Sequence, residues 1–148
     1  MTFSKPWIAL PGEEGQETRV PVADVYLRST DGVLVREVFV VDSGADVSLA
    51  PRLLCEVLGI AWETGTPTHV RGFSPRPECI IEAKIHPVDI YIREADCRVS
   101  VPLCFAEGDA PLLLGREGFF DAFRIRFDKL KLVTTFAFSG RRPRRSSR

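Results

Sequence analysis

The chain alternates apolar and polar residues over much of its length, which is the pattern of half-buried β-strands. Residues 18–29, "TRVPVADVYLRS", carry their valines and Leu27 at strand period. The segment 33–41, "VLVREVFVV", follows after a Thr-Asp-Gly turn signal. The two segments are therefore predicted to pair as a hairpin, whose second strand runs directly into Asp42.

Later segments repeat this pattern. Strands are predicted in 78–92, "ECIIEAKIHPVDIYI", and in 96–105, "DCRVSVPLCF". One face of the second strand is predicted to hold Cys97, Val99, Val101, Leu103 and Phe105. The segments "FRIRFD" and "KLKLVTTFAF", residues 123–138, are predicted to form a last hairpin around Asp128 and Lys129.

Helical periodicity is confined to short segments. Pro51 suits the first turn of a helix over residues 51–58, and Gly59 suits its end. Four residues are predicted to share one face of this helix: Leu53, Leu54, Val57 and Leu58. A short helical turn is expected after Gly115. The chain is thus predicted to be all-β, a small and mostly antiparallel β barrel with one short helix.

Residues 66–77, "TPTHVRGFSPRP", interrupt the strand pattern. They hold three prolines and one glycine between two extended stretches. Such residues restrict or reverse the backbone, so the segment is predicted to be an exposed loop or a hairpin tip.

Composition limits the domain organisation. The chain has 148 residues, of which 45% are hydrophobic, so one compact domain is expected. Five of the twenty basic residues lie in the last eight positions, which leaves residues 1–140 with a net charge of −5. The domain is expected over 18–138. Residues 1–17 are interpreted as an N-terminal extension (a mobile segment, an interface strand or a propeptide), and 139–148 as a disordered Arg-rich tail.

No apolar run approaches the roughly 18 residues of a membrane span, and the N-terminus lacks a secretion signal. A cytoplasmic protein without membrane contact is therefore expected. The cysteines show no C-x-x-C pair, and only two histidines are present, so neither a metal nor another cofactor is expected. Four residues are interpreted as reduced and mostly buried thiols: Cys55, Cys79, Cys97 and Cys104.

The segment "VVDSGADVSL", residues 40–49, is the strongest candidate for chemistry. An acid at the end of a buried strand is costly unless it is paired or hydrogen-bonded, and small residues after it leave room for a close approach. Asp42 is therefore a candidate for acid-base work. The alternative is that Asp42 only caps the turn or the helix that follows, since Asp-Ser-Gly is common turn chemistry.

This segment resembles the catalytic signature of aspartic peptidases, in which apolar residues precede Asp-Thr/Ser-Gly-Ala. The segment "LLLGRE", whose Gly115 lies 73 positions after Asp42, resembles the hydrophobic-hydrophobic-glycine element of the same peptidases. Residues 112–128, "LLLGREGFFDAFRIRFD", look especially like bacterial members of the retropepsin-like group. The likeness covers roughly 18–138 and implies a small closed antiparallel barrel of the retropepsin-like type.

The resemblance implies roles for individual residues. Asp42 matches the catalytic aspartate, Ser43 the hydroxyl residue that bonds across a dimer, and Gly44 the residue that keeps the loop tight. Asp46 matches an acid that meets the substrate main chain, and Arg116 an arginine that pairs with that acid. Substrate contacts are also expected from Ala45, Leu114 and the flap-tip residues Gly72 and Phe73, and structural support from Leu113 and Gly115.

The resemblance also implies a partner. The chain contains one D-[ST]-G, so it supplies one catalytic aspartate where the reaction needs two. A twofold homodimer would bring two copies of Asp42 together to cleave a protein or peptide substrate. The flap region departs from retroviral members, because "HVRGFSPRP" has a single glycine and is stiffened by Pro75 and Pro77.

Three alternatives remain. A retropepsin-fold module that dimerises or binds peptide without catalysis is the strongest of them. A serine hydrolase using Ser43 would require a G-x-S-x-G elbow, which the chain lacks. The third alternative is nucleic-acid binding through the Arg-rich tail. It is disfavoured, because only this short tail offers clustered arginines for phosphate contacts.

Overall fold

The structure is a computed structural model, and it describes residues 1–11, 15, 17–71 and 80–140. Strands dominate the described residues. In chain order they are β1 (Thr2–Pro6), β2 (Ile8–Pro11), β3 (Glu17–Val20), β4 (Val22–Arg28), β5 (Leu34–Val41), β6 (Ser48–Pro51), β7 (Thr66–Val70), β8 (Ile81–Ile92), β9 (Cys97–Ala106), β10 (Leu113–Leu114), β11 (Phe123–Asp128) and β12 (Val133–Phe138).

The helices are few and short. They are α1 (Arg52–Val57), two 3-10 turns (Trp62–Thr64 and Arg93–Ala95) and an irregular helical segment (Arg116–Phe120). The last of these is interrupted at Glu117 and Gly118, where Gly118 adopts a φ of 81°. The predicted short helix and the predicted helical turn after Gly115 are both confirmed.

The main sheet has seven strands in the order β4-β5-β10-β6-β9-β8-β7. The sheet curves so far that β4 also pairs with β8, through Tyr26 with Tyr91 and Leu27 with Ile90. Two pairings are parallel, β10 with β5 and β6 with β9, and the others are antiparallel. The expected mostly antiparallel, retropepsin-like β fold is therefore confirmed.

The alternation of residues in β9 places its apolar side chains in the core. Val99, Val101, Leu103 and Phe105 are buried, whereas Arg98 and Ser100 are exposed. The hydrophobic effect thus fixes the register of this central strand, because a slip by one residue would exchange its two faces.

Two details differ from the sequence-based expectation. Leu54 and Leu58 are buried, but Leu53 is 67% exposed and Val57 is 53% exposed, so the predicted four-residue apolar face of α1 is wrong. The helix lies at the surface, and only Leu54, Cys55 and the following Leu58 pack in the core. The loop or hairpin tip expected over 66–77 is wrong for its first residues, because Thr66–Val70 forms β7 at the edge of the sheet, where a proline is tolerated. Residues 72–77 lie outside the described residues.

A second, three-stranded sheet has the order β1-β12-β11. Its aromatic side chains pack together and against the helical segment Arg116–Phe120. Phe3 stacks on Phe136 with 4.8 Å between ring centroids, and Phe119 of the helical segment packs on Phe123 at 5.2 Å. The segment 1–17 thus contributes β1 to this sheet. It also contributes β2, which pairs with β3 in a separate two-stranded sheet. The Arg-rich positions 141–148 lie outside the described residues.

The described cysteines are free thiols. Cys55 and Cys104 are buried and Cys97 is half-buried, and burial raises the pKa of all three. Cys79 lies outside the described residues. No helix in the described part of the chain is both long enough and apolar enough to cross a membrane.

Candidate active site

Asp42 lies where β5 leaves the main sheet. The residue before it, Val41, is 3% exposed, and Asp42 itself is half-buried. The Asp42 backbone N–H donates to the carbonyl oxygen of Leu114 at 2.9 Å. The position of Asp42 is therefore set by β10 as well as by its own strand.

The Asp42 carboxylate is oriented by its own loop. The Oδ1 atom of the carboxylate accepts a hydrogen bond from the Gly44 N–H at 2.9 Å. The backbone carbonyl oxygen of Asp42 accepts one from the Ala45 N–H at 3.3 Å. A side chain at Gly44 would lie 3.2 Å from Oδ1 and would crowd the carboxylate. The turn-forming role considered for Asp42 is thus present, and it leaves Oδ2 without a hydrogen-bond partner among the described residues.

The short strand β10 passes directly behind this loop. Leu113 and Leu114 pair in parallel with Val40 and Val41 of β5. Leu114, whose side chain was expected to contact substrate, is 1% exposed and packs in the main core. Its substrate contact stays a prediction, and its position is that of a residue which supports the loop from behind.

Gly115 has no room for a side chain. A Cβ there would lie 2.5 Å from the carbonyl carbon and oxygen of Val47 and 2.9 Å from the carbonyl oxygen of Ala45. Its N–H donates to the hydroxyl oxygen of Ser48 at 3.0 Å, and Ser48 is fully buried. The steric requirement and this hydrogen bond together bring residues 115–116 against the Asp42 loop.

Asp46 and Arg116 join the two segments at the surface. The Arg116 guanidinium donates to the Asp46 carboxylate in an ion pair. Two backbone hydrogen bonds reinforce the contact. The Arg116 N–H donates to the carbonyl oxygen of Ala45, and the Glu117 N–H donates to the backbone carbonyl oxygen of Asp46, both at 2.9 Å. The predicted proximity of Asp46 and Arg116 is thus found in the structure, although the Asp46 side chain is 82% exposed.

The structure brings most of the predicted site residues together. Residues 42–46 form the loop and residues 113–116 lie behind it or beside it. Ser43 and Gly44, at the tip of the loop, are exposed. Gly72 and Phe73, the predicted flap tip, lie outside the described residues.

Sequence reasoning missed Ser48. Its signal was a hydroxyl residue inside the apolar segment "VSLAP", at a position that strand alternation alone does not identify as buried. Because a buried hydroxyl requires a hydrogen-bond partner, a polar residue in such a segment indicates a specific contact. Within the described ranges, no group of three or more His, Cys, Asp or Glu side chains is arranged to hold a metal ion.

No family model matches this sequence, and the search of curated proteins found no match. Among solved structures, the chain is similar to the crystal structure of a retropepsin-like aspartic protease from Rickettsia conorii. The TM-score is 0.55 at 16% sequence identity, and the likeness covers 93% of this chain and 94% of that chain. The chain has the retropepsin-like fold.

Within this fold, the loop 42–46 presents one carboxylate that is not held in an ion pair. Asp46 is engaged by Arg116, whereas Asp42 has no cationic partner among the described residues. A half-exposed carboxylate on a positioned loop is able to take a proton from a bound water molecule or to return one. A single chain does not place a second such group beside Asp42 within the described loop.

Proposed function

We propose that the chain is an aspartic endopeptidase that acts as a homodimer, with one Asp42 from each subunit in a shared active site. The observation that supports it most is the position of Asp42. It lies on an exposed loop at the end of β5, tied to β10 by a 2.9 Å hydrogen bond, in a retropepsin-like fold.

The need for two subunits follows from the single D-S-G of the chain. Peptide hydrolysis by this chemistry uses two carboxylates in different protonation states. A closed twofold dimer places the same surface of both subunits at the axis, so exposed Ser43 and Gly44 would meet their copies there. In this proposal the Ser43 hydroxyl bonds across the dimer and holds the two loops together.

The two Asp42 carboxylates would share one proton, because like charges in contact do not both stay ionised. The ionised member takes a proton from a water molecule, whose oxygen bonds to the carbonyl carbon of the substrate. The protonated member donates its proton to the carbonyl oxygen. The carbon–nitrogen bond then breaks as the amine nitrogen takes the proton that the first carboxylate received from water. One hydroxyl of the tetrahedral intermediate returns its proton to the second carboxylate, so the products are a carboxylic acid and an amine and the pair again shares one proton.

Other loop residues would position the peptide. Asp46 lies at the outer end of the loop, and we propose that it meets the substrate main chain while Arg116 holds its carboxylate in place. Ala45 would contact substrate beside it, and Gly72 and Phe73 would cover substrate from the flap. The free thiols Cys55, Cys97 and Cys104 fit a reducing compartment, and we place the enzyme in the cytoplasm.

The test is cleavage of a diverse peptide library by the full chain across a range of pH. Wild type should cleave with a bell-shaped pH profile on the acid side of neutral, since both limbs belong to the coupled pair. Asp42→Asn should abolish cleavage, whereas Asp109→Asn, at an exposed aspartate outside the loop, should leave it unchanged.

Undiminished turnover near pH 9, or full activity of Asp42→Asn, would contradict the shared-proton mechanism. If wild type cleaves no peptide, and wild type and Asp42→Asn bind peptides equally well, the chain would instead be a non-catalytic binding module.

A further inference from the structure

A cavity of about 630 Å³ lies at the seam where β4 meets β8. We call it the seam cavity. Its wall includes two arginines, two tyrosines and two isoleucines: Arg28, Arg98, Tyr26, Tyr91, Ile60 and Ile90. Its volume is within the range of about 300–1,000 Å³ that is usual for small-molecule sites.

The cavity exists because two paired strands separate. β4 and β8 pair only through Tyr26 with Tyr91 and Leu27 with Ile90. Beyond them β4 turns away, since Ser29 N–H donates to the carbonyl oxygen of Val33 at 2.8 Å. The separation leaves a cleft at the seam, and Ile60 forms part of its wall.

The seam cavity is separate from the Asp42 loop. Leu34, which lines the cavity, begins β5, and Val41 ends that strand just before Asp42. At a rise of about 3.3 Å per residue, the two ends of β5 are roughly 23 Å apart. A ligand in the cavity therefore would not contact Asp42.

The two arginines of the cavity form no ion pair within the described residues. Neither Arg28 nor Arg98 has a carboxylate within 4.0 Å in the described part of the chain. By contrast Arg36, which lies opposite Tyr26 on β5 but outside the cavity, is paired with Asp24 at 3.1 Å. The planar guanidinium group is suited to binding a carboxylate with two parallel hydrogen bonds.

Neither acidic group of the cavity forms an ion pair with these arginines in the described part of the chain. Asp96 accepts a hydrogen bond from the Tyr91 hydroxyl at 2.7 Å, and this bond raises the pKa of Tyr91. Continuing the β4–β8 register would bring Asp89 opposite Arg28, but the strands separate before that pair and no ion pair forms between them.

We propose that the seam cavity binds a small organic carboxylate with an apolar body. Arg28 and Arg98 would hold the carboxylate. The rings of Tyr26 and Tyr91, whose centroids are 6.3 Å apart, would contact the body together with Ile60. A free carboxylic acid and the C-terminus of a peptide with an apolar last residue share this chemistry. The site does not depend on the proposed peptidase activity.

The test is calorimetric titration of the full chain with N-acetyl-L-phenylalanine and with N-acetyl-L-phenylalaninamide, which lacks the charge. The acid should bind about tenfold more tightly than the amide, as expected for hydrogen bonds to a charged group. A second pair of probes, a short peptide ending in phenylalanine with a free or an amidated C-terminus, distinguishes the two sources of carboxylate.

The double variant Arg28→Gln and Arg98→Gln should lose the preference for the acid, and Arg36→Gln should keep it. Thermal unfolding of each variant confirms that it is folded. Backbone NMR shifts of wild type with the acid should concentrate in 26–29 and 87–98.

Equal binding of acid and amide, no saturable binding of either acid at millimolar concentration, or a preference that survives in the double variant would overturn the proposal. Shifts confined to residues 42–46 would also overturn it, because the ligand would then occupy the Asp42 loop.

Discussion

The buried hydroxyl of Ser48 accepts the backbone N–H of Gly115 at 3.0 Å and so connects β6 to the residue that follows β10. Gly115 in turn lies against the carbonyl group of Val47, and its neighbour Leu114 accepts the N–H of Asp42. The position of the candidate catalytic aspartate therefore depends on a residue that carries no chemistry of its own.

The first prediction concerns Ser48→Ala. The change leaves the Gly115 N–H buried without a partner, which should lower the free energy of unfolding by about 1–3 kcal/mol. Peptide cleavage should also fall, because the loop that carries Asp42 is displaced. Ser100→Ala, at an exposed position of β9, is the matched control. Urea unfolding and steady-state kinetics measure both effects. Wild-type stability in Ser48→Ala would show that Ser48 does not hold the loop.

The second prediction concerns the ion pair of Asp46 with Arg116. Both side chains are largely exposed, 82% and 54%, so the pair should contribute less than about 1 kcal/mol to the free energy of unfolding. A double-mutant cycle of Asp46→Ala and Arg116→Ala isolates that coupling. We expect KM for long peptides to rise in both single variants, because in the proposed enzyme the pair orients Asp46 toward substrate. Arg124→Ala, at an exposed position of β11, should change neither quantity. Coupling in stability without any change in KM would assign the pair a purely structural role.

The third prediction concerns the pH dependence of stability through Asp24. Burial alone would raise the pKa of Asp24, but hydrogen bonds from Lys5 and Arg36 outweigh it and lower the pKa below the ordinary value of 3.8. A lowered carboxyl pKa means that Asp24 stabilises the fold above pH 3.8, and that this contribution is lost as pH falls through the lowered value.

The difference in free energy of unfolding between wild type and Asp24→Asn should therefore be constant near neutral pH and should shrink in acid. Urea unfolding of both proteins across that range measures it. Asp109→Asn, at an exposed aspartate, is the matched control for the loss of one carboxylate. A difference that grows toward acid would mean that Asp24 is protonated in the folded protein.

Much of the fold was predictable because its strands are amphipathic. Over residues 98–101 of β9 the alternation in the sequence translates directly into burial, whereas Cys104 and Ala106 on its other face are buried in a second apolar cluster. The approach of Gly115 to the Asp42 loop was also predictable, since the two segments are similar to motifs that meet in the retropepsin-like fold.

The remainder depended on tertiary contacts that no local pattern encodes. Residues 66–70 hold a proline, yet they form β7 because an edge strand tolerates the missing N–H. Leu53 has the period of a core residue but lies on the solvent side of α1. His86 is 5% exposed, and its Nε2 atom has no hydrogen-bond partner among the described residues. Such a histidine is identified only once the neighbouring strands are in place.

The last prediction tests the composite active site. If each site needs one Asp42 from each subunit, a mixed dimer with one Asp42→Asn chain has no proton-sharing pair and should be nearly inactive. With random pairing in a closed twofold dimer, an equal mixture of wild-type and variant chains should retain about a quarter of the activity. An active site complete within one chain would retain about half under the same random mixing. Unfolding and refolding the chains together ensures exchange, and Asp109→Asn replaces the variant in a control mixture, which should keep full activity. Activity that falls only in proportion to the variant fraction would rule out the shared site.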